Sequence, residues 1–408
     1  MPIKKYANYA VFGLLLLLPW QTRFIFGQVS LLGESISLGV LSFYATQVVI
    51  IALFLLAMIF IAKESLFAKY TSPQLVALGA FVFYAIFRAT QVWHIDLALV
   101  HLAALGFAGL LYWLFTQKVV DRKLLLMGVS ISLVAPVILG LWQVVFGASG
   151  ASTLLGLAAR DAQVLGESIF TLGGERFLRA YGGFPHPNIF AGYLLVGIWC
   201  AWRLCHLERA ECESKDPSTS LRMTQGLLIF LIIGLLATGS QAALLGLVAA
   251  GLWVLLRPKG EYKLPFAIVV TGITLLSVWV GDGASFIERQ DQYLAFSQLF
   301  EMRELILGAG PMHYLFELAI EQPGLNWWLY QPIHNSFLLI LAELGMIGAG
   351  LLGYLVWPNL KQMAQSPYFP LILAFLPPFL LDHYLWTTWS GMVIVVLLLV
   401  IDTKQENH

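Results

Sequence analysis

A chain of 408 residues that is 59% hydrophobic and 11% charged cannot clothe a water-facing surface, because soluble domains carry about 25% charged residues. Its mean hydropathy is +0.80, and apolar runs of roughly 17–25 residues, enough to cross a hydrocarbon core as helix, recur along its length. The chain therefore reads as all-α, a polytopic membrane protein in one integral membrane domain, 1–408. The runs lack the 10-residue alternation that marks a transmembrane β-barrel. The formal net charge of zero excludes nothing by itself.

Hydropathy predicts about twelve spans, near 7–26, 40–62, 73–91, 95–115, 124–146, 187–204, 225–239, 241–257, 264–281, 334–356, 367–382 and 384–402. The first follows Lys4 and Lys5 and runs on without a small-residue cleavage site, so no cleaved signal peptide is expected. Residues 225–257 are too long for one span at about 1.5 Å per residue and divide at the ATGSQ turn; 367–402 divide at Asp382-His383 for the same reason. Three connecting segments stand out. Residues 147–186 form a charged outer loop. Residues 206–225 are a polar, solvated linker. Residues 282–333 form a large outer loop before the tenth span, and its first half reads as an amphipathic helix with Phe286, Tyr293, Phe296, Phe300 and Leu307 at helical spacing, broken by GAGP.

With both termini inside, 16 of the 23 basic residues fall on the inner side, as the positive-inside rule requires. Every lysine is among them. The seven outer cations are all arginine: Arg23, Arg88, Arg160, Arg176, Arg179, Arg289 and Arg303. Arginine suits two-pronged recognition of phosphate and carboxylate, although headgroup contacts use it too. Cys200, Cys205 and Cys212 lie at the inner end of the sixth span and in the polar linker. No outer disulfide is available to them, and their spacing fits no usual zinc site.

Several polar groups gather at outer helix mouths. His334, in QPIHNS, opens the tenth span, where an imidazole is either a proton acceptor or an interfacial group bonded to backbone. Glu343, nine residues further on, faces a bundle interior as an anchor or a relay. In RAYGGFPHPN, Gly182 and Gly183 permit unusual backbone angles, two prolines flank His186, Asn188 occupies a capping position, and Arg179 is held beside the mouth. Arg88 ends the third span. Ser240-Gln241 and Asp382-His383 sit at outer turns, where both also fit ordinary turn chemistry. The chain has no GxxxxGK[ST], no GxGxxG after a strand and no DxD-like pair, so neither a nucleotide nor nucleic acid is an expected partner. A transporter or flippase is the alternative from another class, although transporters gather polar residues at the bilayer midplane and often repeat their halves.

The segments RAYGGFPHPNIFAGYL, ATGSQAALLGL, ERQDQYLAFSQLFEMRELILGAGPMHYLFEL and HNSFLLILAELGMIG, in this order over roughly residues 175–350, resemble the O-antigen ligase and polysaccharide polymerase superfamily. The resemblance implies a glycosyltransferase of the bacterial inner membrane that uses no metal or other cofactor. Such an enzyme moves a glycan from an undecaprenyl diphosphate carrier to a glycan, lipid or protein acceptor hydroxyl at the outer face. It implies that His334 orients or deprotonates the acceptor and that Arg179 binds the diphosphate; Arg88, by position only, and Arg289, Arg303, His186 and Asn188 are further candidates for holding diphosphate or acceptor. Gln241 stands where the family turn carries arginine. Either another arginine compensates, or activity is altered or lost, which leaves a non-catalytic member open.

Overall fold

A computed structural model describes residues 2–61, 71–211, 219–256, 284–299, 302–325, 330–366 and 368–401. It is mostly helical. Among the described residues, six helical segments are long and apolar enough to cross a membrane: Ser72–Ala89, Ile95–Phe115, Arg122–Phe146, Pro187–Arg209, Ser220–Thr238 and Ser336–Ala364. Four shorter apolar helices accompany them, Ala45–Met58, Gln241–Val254, Phe369–Leu381 and Trp389–Ile401. The expected ninth span, 264–281, lies outside the described residues.

The chain begins with α1 (Pro2–Leu17), and here the expectation of an all-helical start fails. The predicted span 7–26 stops at Leu17. Strands β1 (Arg23–Leu31) and β2 (Glu34–Tyr44) then form an antiparallel hairpin that occupies the start of the predicted second span. Pro19 cannot continue the helix. The Leu32-Gly33 turn has φ of +53° and +86°, the left-handed pair that closes a two-residue hairpin with the strands' own twist. Helix α2 (Ala45–Ile61) follows, then α3 (Ser72–Ala89) and α4 (Ile95–Phe115).

The predicted span 124–146 is two helices, α5 (Arg122–Ser132) and α6 (Val134–Phe146). The break at Leu133 precedes Pro136, whose missing N–H removes one helical hydrogen bond. Asp121 caps α5 by accepting from Leu124 N at 3.2 Å. The 147–186 loop holds two small sheets, β3 (Ala148–Ser149) with β4 (Arg160–Asp161) and β5 (Ile169–Leu172) with β6 (Glu175–Leu178).

Helix α7 (Pro187–Glu211) is the central helix. In its membrane-length window 78% of residues are buried, against 22% for α3. It packs on α5, α8 (Thr219–Thr238), α9 (Gln241–Leu256), α14 (Phe369–Leu381) and α16 (Trp389–Ile401). Small residues let these backbones approach: a Cβ at Gly197 would strike Leu133, and one at Gly246 would strike the Ala374 carbonyl. A second core forms where α13 (Ser336–Ala364) meets Tyr314, Leu315 and Trp386. Helices α10 (Ala284–Leu299), α11 (Met302–Leu307) and α12 (Tyr314–Glu321) occupy the loop before α13, and the four-residue α15 (Tyr384–Thr387) precedes α16.

Hydrogen bonds mark two ends of the bundle. At one, Asn8 near the start of α1 donates to Val119 O at 3.2 Å and accepts from Asp121 N at 2.8 Å. At the other, Gln21 beyond α1 accepts from Ser390 Oγ at 2.8 Å, and Trp389 Nε1 donates to Thr46 at 3.0 Å. The polar cluster described next lies at this second end, where α8 and α14 finish and α7, α9 and α13 begin.

Candidate functional site

The loop 179–186 is stiff because its polar groups are consumed locally. Gln143, buried near the end of α6, accepts with one carbonyl oxygen from Tyr181 N at 2.9 Å and Gly182 N at 3.0 Å. Gly182 turns at φ +58° against the Phe190 ring, which leaves no room for a Cβ. Arg160 lies 4.2 Å over the Tyr181 ring, pairs with Glu167 at 3.0 Å and donates to Pro185 O at 3.0 Å. Arg176 donates to Ala162 O at 2.7 Å. These two arginines therefore build the loop. Beyond it a cleft of about 110 Å³ is lined by Gln21, Arg23, Tyr44, Arg160 and Tyr181 among others.

The stiff loop presents Arg179. Its Nε donates to Thr238 O at 2.6 Å, a carbonyl at the end of α8 that has no helical partner, and its Nη2 donates to Asn188 Oδ1 at 2.9 Å. Gln241 opens α9 in the same turn. The Asn188 amide then passes the interaction on: Nδ2 donates to Asp382 Oδ2 at 2.7 Å, across 194 residues. Asn188 is thus no cap. That role belongs to His186, whose Nδ1 accepts from Asn188 N at 3.2 Å ahead of Pro187, the first residue of α7. Because Nδ1 accepts, the neutral His186 ring carries its proton on Nε2, which lies 3.0 Å from Ser168 Oγ.

Asp382 is the hub. The carboxylate also accepts from His383 N at 2.8 Å, and the Asp382 carbonyl accepts from Ser336 Oγ at 2.8 Å, tying the end of α14 to the first residue of α13. The Asp382-His383 pair, which the sequence leaves as a possible plain turn, is therefore the junction of the cluster. Beside it stands His334, its ring centroid 5.3 Å from that of His383, edge to face. His334 lies two residues before α13, which Asn335 caps through Leu338 N at 3.0 Å. Gln292 of α10 accepts from both His334 N and His334 Nδ1 at 2.9 Å. Arg289, one turn earlier, reaches Leu381 O at 3.5 Å, and its buried Nε has no hydrogen-bond partner among the described residues.

One candidate falls elsewhere. Arg88 donates to Gly308 O at 2.6 Å and so holds the GAGP segment. Arg303 falls outside the described side chains. Glu343 is an anchor: its Oε2 accepts from Met312 N at 2.9 Å and Trp386 Nε1 at 2.7 Å. Helix α13 is interrupted beside it at Gly345, whose φ of 64° and ψ of 179° are non-helical.

Charge in the cluster follows from burial and neighbours. Burial lowers the Arg179 guanidinium to about 10, still cationic at neutral pH, with Tyr181 and Asp382 opposing the fall. Burial alone would raise the Asp382 carboxyl; the imidazoles of His383, His334 and His186 and the Asn188 amide bring it below its usual value. Burial pushes His186 down to about 4, against the pull of Asp382, and lowers His383 as well. The unfolded chain then binds more protons than the folded one between pH 4 and about 6.5, the ordinary histidine value. Stability is fully present above that window and is lost as pH falls through it. The unfolding midpoint of the detergent-solubilised protein is expected to drop between pH 6.5 and 4. His186→Asn, which caps without titrating, should flatten that slope.

The cluster thus joins Arg179, His186, Asn188 and His334 from the sequence candidates, with Arg289 at its edge and Gln241 in the turn that Arg179 grips. Sequence reasoning missed Gln292 and Gln143. Each is a single polar residue on a helix, with no signal beyond a glutamine among apolar neighbours.

Together these features define a mostly helical protein with membrane-length apolar helices and a buried ionisable cluster at one end of its bundle. Compared with protein-family models and with curated proteins, the chain matches none.

Proposed function

We propose that the chain is a metal-independent glycosyltransferase of the O-antigen ligase and polymerase type, a protein of about twelve spans in a bacterial inner membrane with the cluster facing outward. The observation that carries this reading is the meeting of Arg179, Asp382 and His334 from distant segments at one end of the bundle. The donor is a glycan on undecaprenyl diphosphate. The acceptor oxygen, on a glycan, lipid or protein, attacks the anomeric carbon while the bond from that carbon to the phosphate oxygen breaks. The hydroxyl proton passes to His334, and the electron pair leaves with the diphosphate. Arg179 stabilises the charge growing on that leaving group. Asp382 holds Asn188 and thereby the Arg179 fork, and its negative charge favours the imidazolium that His334 becomes.

Gln241 supplies a hydrogen bond and no charge. Arg289 is the compensating cation this reading favours, because it reaches Leu381 O beside Asp382 at the edge of the cluster, whereas Arg88 is held at Gly308 O of the GAGP segment. In proteoliposomes supplied with undecaprenyl-diphosphate-linked oligosaccharide, Arg179→Ala should lower transfer by about 10²–10³-fold, the usual effect of removing one donor to developing charge. Arg179→Lys, a point charge without the fork, should fall between. Transfer by Arg179→Ala at the wild-type rate, with folding retained, would rule the reading out. Carrier binding and movement without transfer by wild type would favour a flippase.

A further inference from the structure

Gln292 is buried in the middle of α10, 8% exposed, and its carbonyl oxygen faces two donors of one residue. His334 N and His334 Nδ1 both lie 2.9 Å from Oε1. The backbone N–H can only donate. It therefore fixes which end of the Gln292 amide points at His334, since an NH₂ group there would meet N–H against N–H. With Oε1 in place, Nδ1 of His334 must carry a proton as well. The neutral ring then has its lone pair on Nε2.

The neighbouring imidazole of His383 is held by a hydroxyl. The Thr387 hydroxyl donates to His383 O at 3.2 Å and lies 2.9 Å from His383 Nδ1. A hydroxyl has one proton to give and can turn it to either acceptor, so this contact orients the His383 ring without fixing its tautomer.

We propose that Gln292 is a positioning residue that locks His334 in its Nδ1–H tautomer and so presents Nε2 as the nitrogen that takes a proton. The tautomer follows from the hydrogen bonds alone; the proton's source, an acceptor hydroxyl, rests on the glycosyltransferase reading. The choice of an amide has a chemical consequence. Gln292 orients the ring without a charge, so the charge that favours imidazolium comes from Asp382 at the end of α14. Opposing it from the other packed elements are His383 beside Asp382, His186 and Arg179 of the 179–186 loop, and Arg289 on α10. Helix α10 is then part of the site and not merely a cover over it.

The experiment is ¹⁵N-histidine NMR of the full chain in nanodiscs above pH 7, with the His334 signals assigned by their loss in His334→Ala, alongside transfer kinetics. Wild type should show protonated Nδ1 and unprotonated Nε2 at His334. Gln292→Leu, which removes the acceptor, should shift His334 towards the other tautomer and lower kcat about 10- to 100-fold, part of the 10²–10⁴ that a positioned base contributes. Gln292→Glu keeps the acceptor and adds a charge, so it should retain the tautomer and move the acidic limb of the pH–rate profile to higher pH. It also guards against a Gln292→Leu that fails to fold. An Nε2–H tautomer in wild type, or an unchanged tautomer in folded Gln292→Leu, overturns the proposal. The predicted tautomers without transfer in wild type would support the positioning role and remove only the glycosyltransferase reading.

Discussion

Asp382→Ala is expected to unfold at a markedly lower temperature than wild type, with a loss of about 3 kcal/mol, the low end of what removing one member of a buried charged network costs. The carboxylate is buried and takes hydrogen bonds from the Asn188 amide and His383 N. Alanine leaves both donors enclosed without an acceptor, at about 1–3 kcal/mol for each group that water cannot reach. It also frees Asn188 to turn away from Arg179, whose Nη2 it accepts from. Asp382→Asn should lie between, because an amide has one oxygen to offer where the carboxylate offers two. Thermal unfolding of the detergent-solubilised protein gives the order directly: wild type above Asp382→Asn above Asp382→Ala. Equal midpoints for all three would mean that the cluster contributes nothing to the fold.

Gly345→Ala is expected to be as damaging, through backbone and not charge. Gly345 sits at φ +64° and ψ 179° inside α13, a region open essentially to glycine and costing another residue about 1–3 kcal/mol. Space adds to strain. A Cβ there would come within 2.6 Å of Gly308 N and would strike the Ile306 carbonyl. A Cβ on Gly308, itself at φ +74°, would strike the Glu343 carbonyl and Gly345 N in return. The two glycines let the GAGP segment lie against α13, so that Ala309 N and Gly310 N donate to Ala342 O and Glu343 O at 2.8 Å. Neither neighbour is a side chain that can rotate aside. Gly345→Ala should therefore cost several kcal/mol in thermal unfolding and detach Met312 from Glu343. Gly350→Ala, with nothing within 4 Å of its Cβ, is the control expected to unfold near wild type.

Much of the scaffold was legible, and the physical reasons are specific. Long apolar runs have one stable form in hydrocarbon, so the helices at Ile95–Phe115, Ser220–Thr238 and Gln241–Leu256 stand close to where hydropathy put them. The turn between the last two falls at Thr238–Gln241, where the ATGSQ stretch predicted it. The hairpin at 23–44 was hidden because averaged hydropathy smooths over strands whose Ser, Gln and Glu are interleaved with Ile, Leu, Val and Phe. Its alternation merges with the flanking helices, and only Pro19 and Leu32-Gly33 punctuate it. The members of the site were visible as residue types at helix mouths, but their pairing was not. Asn188 and Asp382 meet through tertiary packing that no local spacing records, and Asn188 looks like a cap until Pro187 is seen to open α7. Gln292 looks like one more polar position on a surface helix. Its role comes from lying opposite a backbone N–H.

The most direct test of the account is transfer of glycan from undecaprenyl-diphosphate-linked oligosaccharide in proteoliposomes by wild type and His334→Ala, with thermal unfolding recorded for both. His334 contributes its imidazole at the mouth of α13 while Asn335, not His334, caps the helix, so the variant should keep its fold. The account predicts transfer by wild type and a fall of about 10²–10⁴-fold in His334→Ala, the contribution of a positioned general base. Wild-type transfer by folded His334→Ala would contradict it.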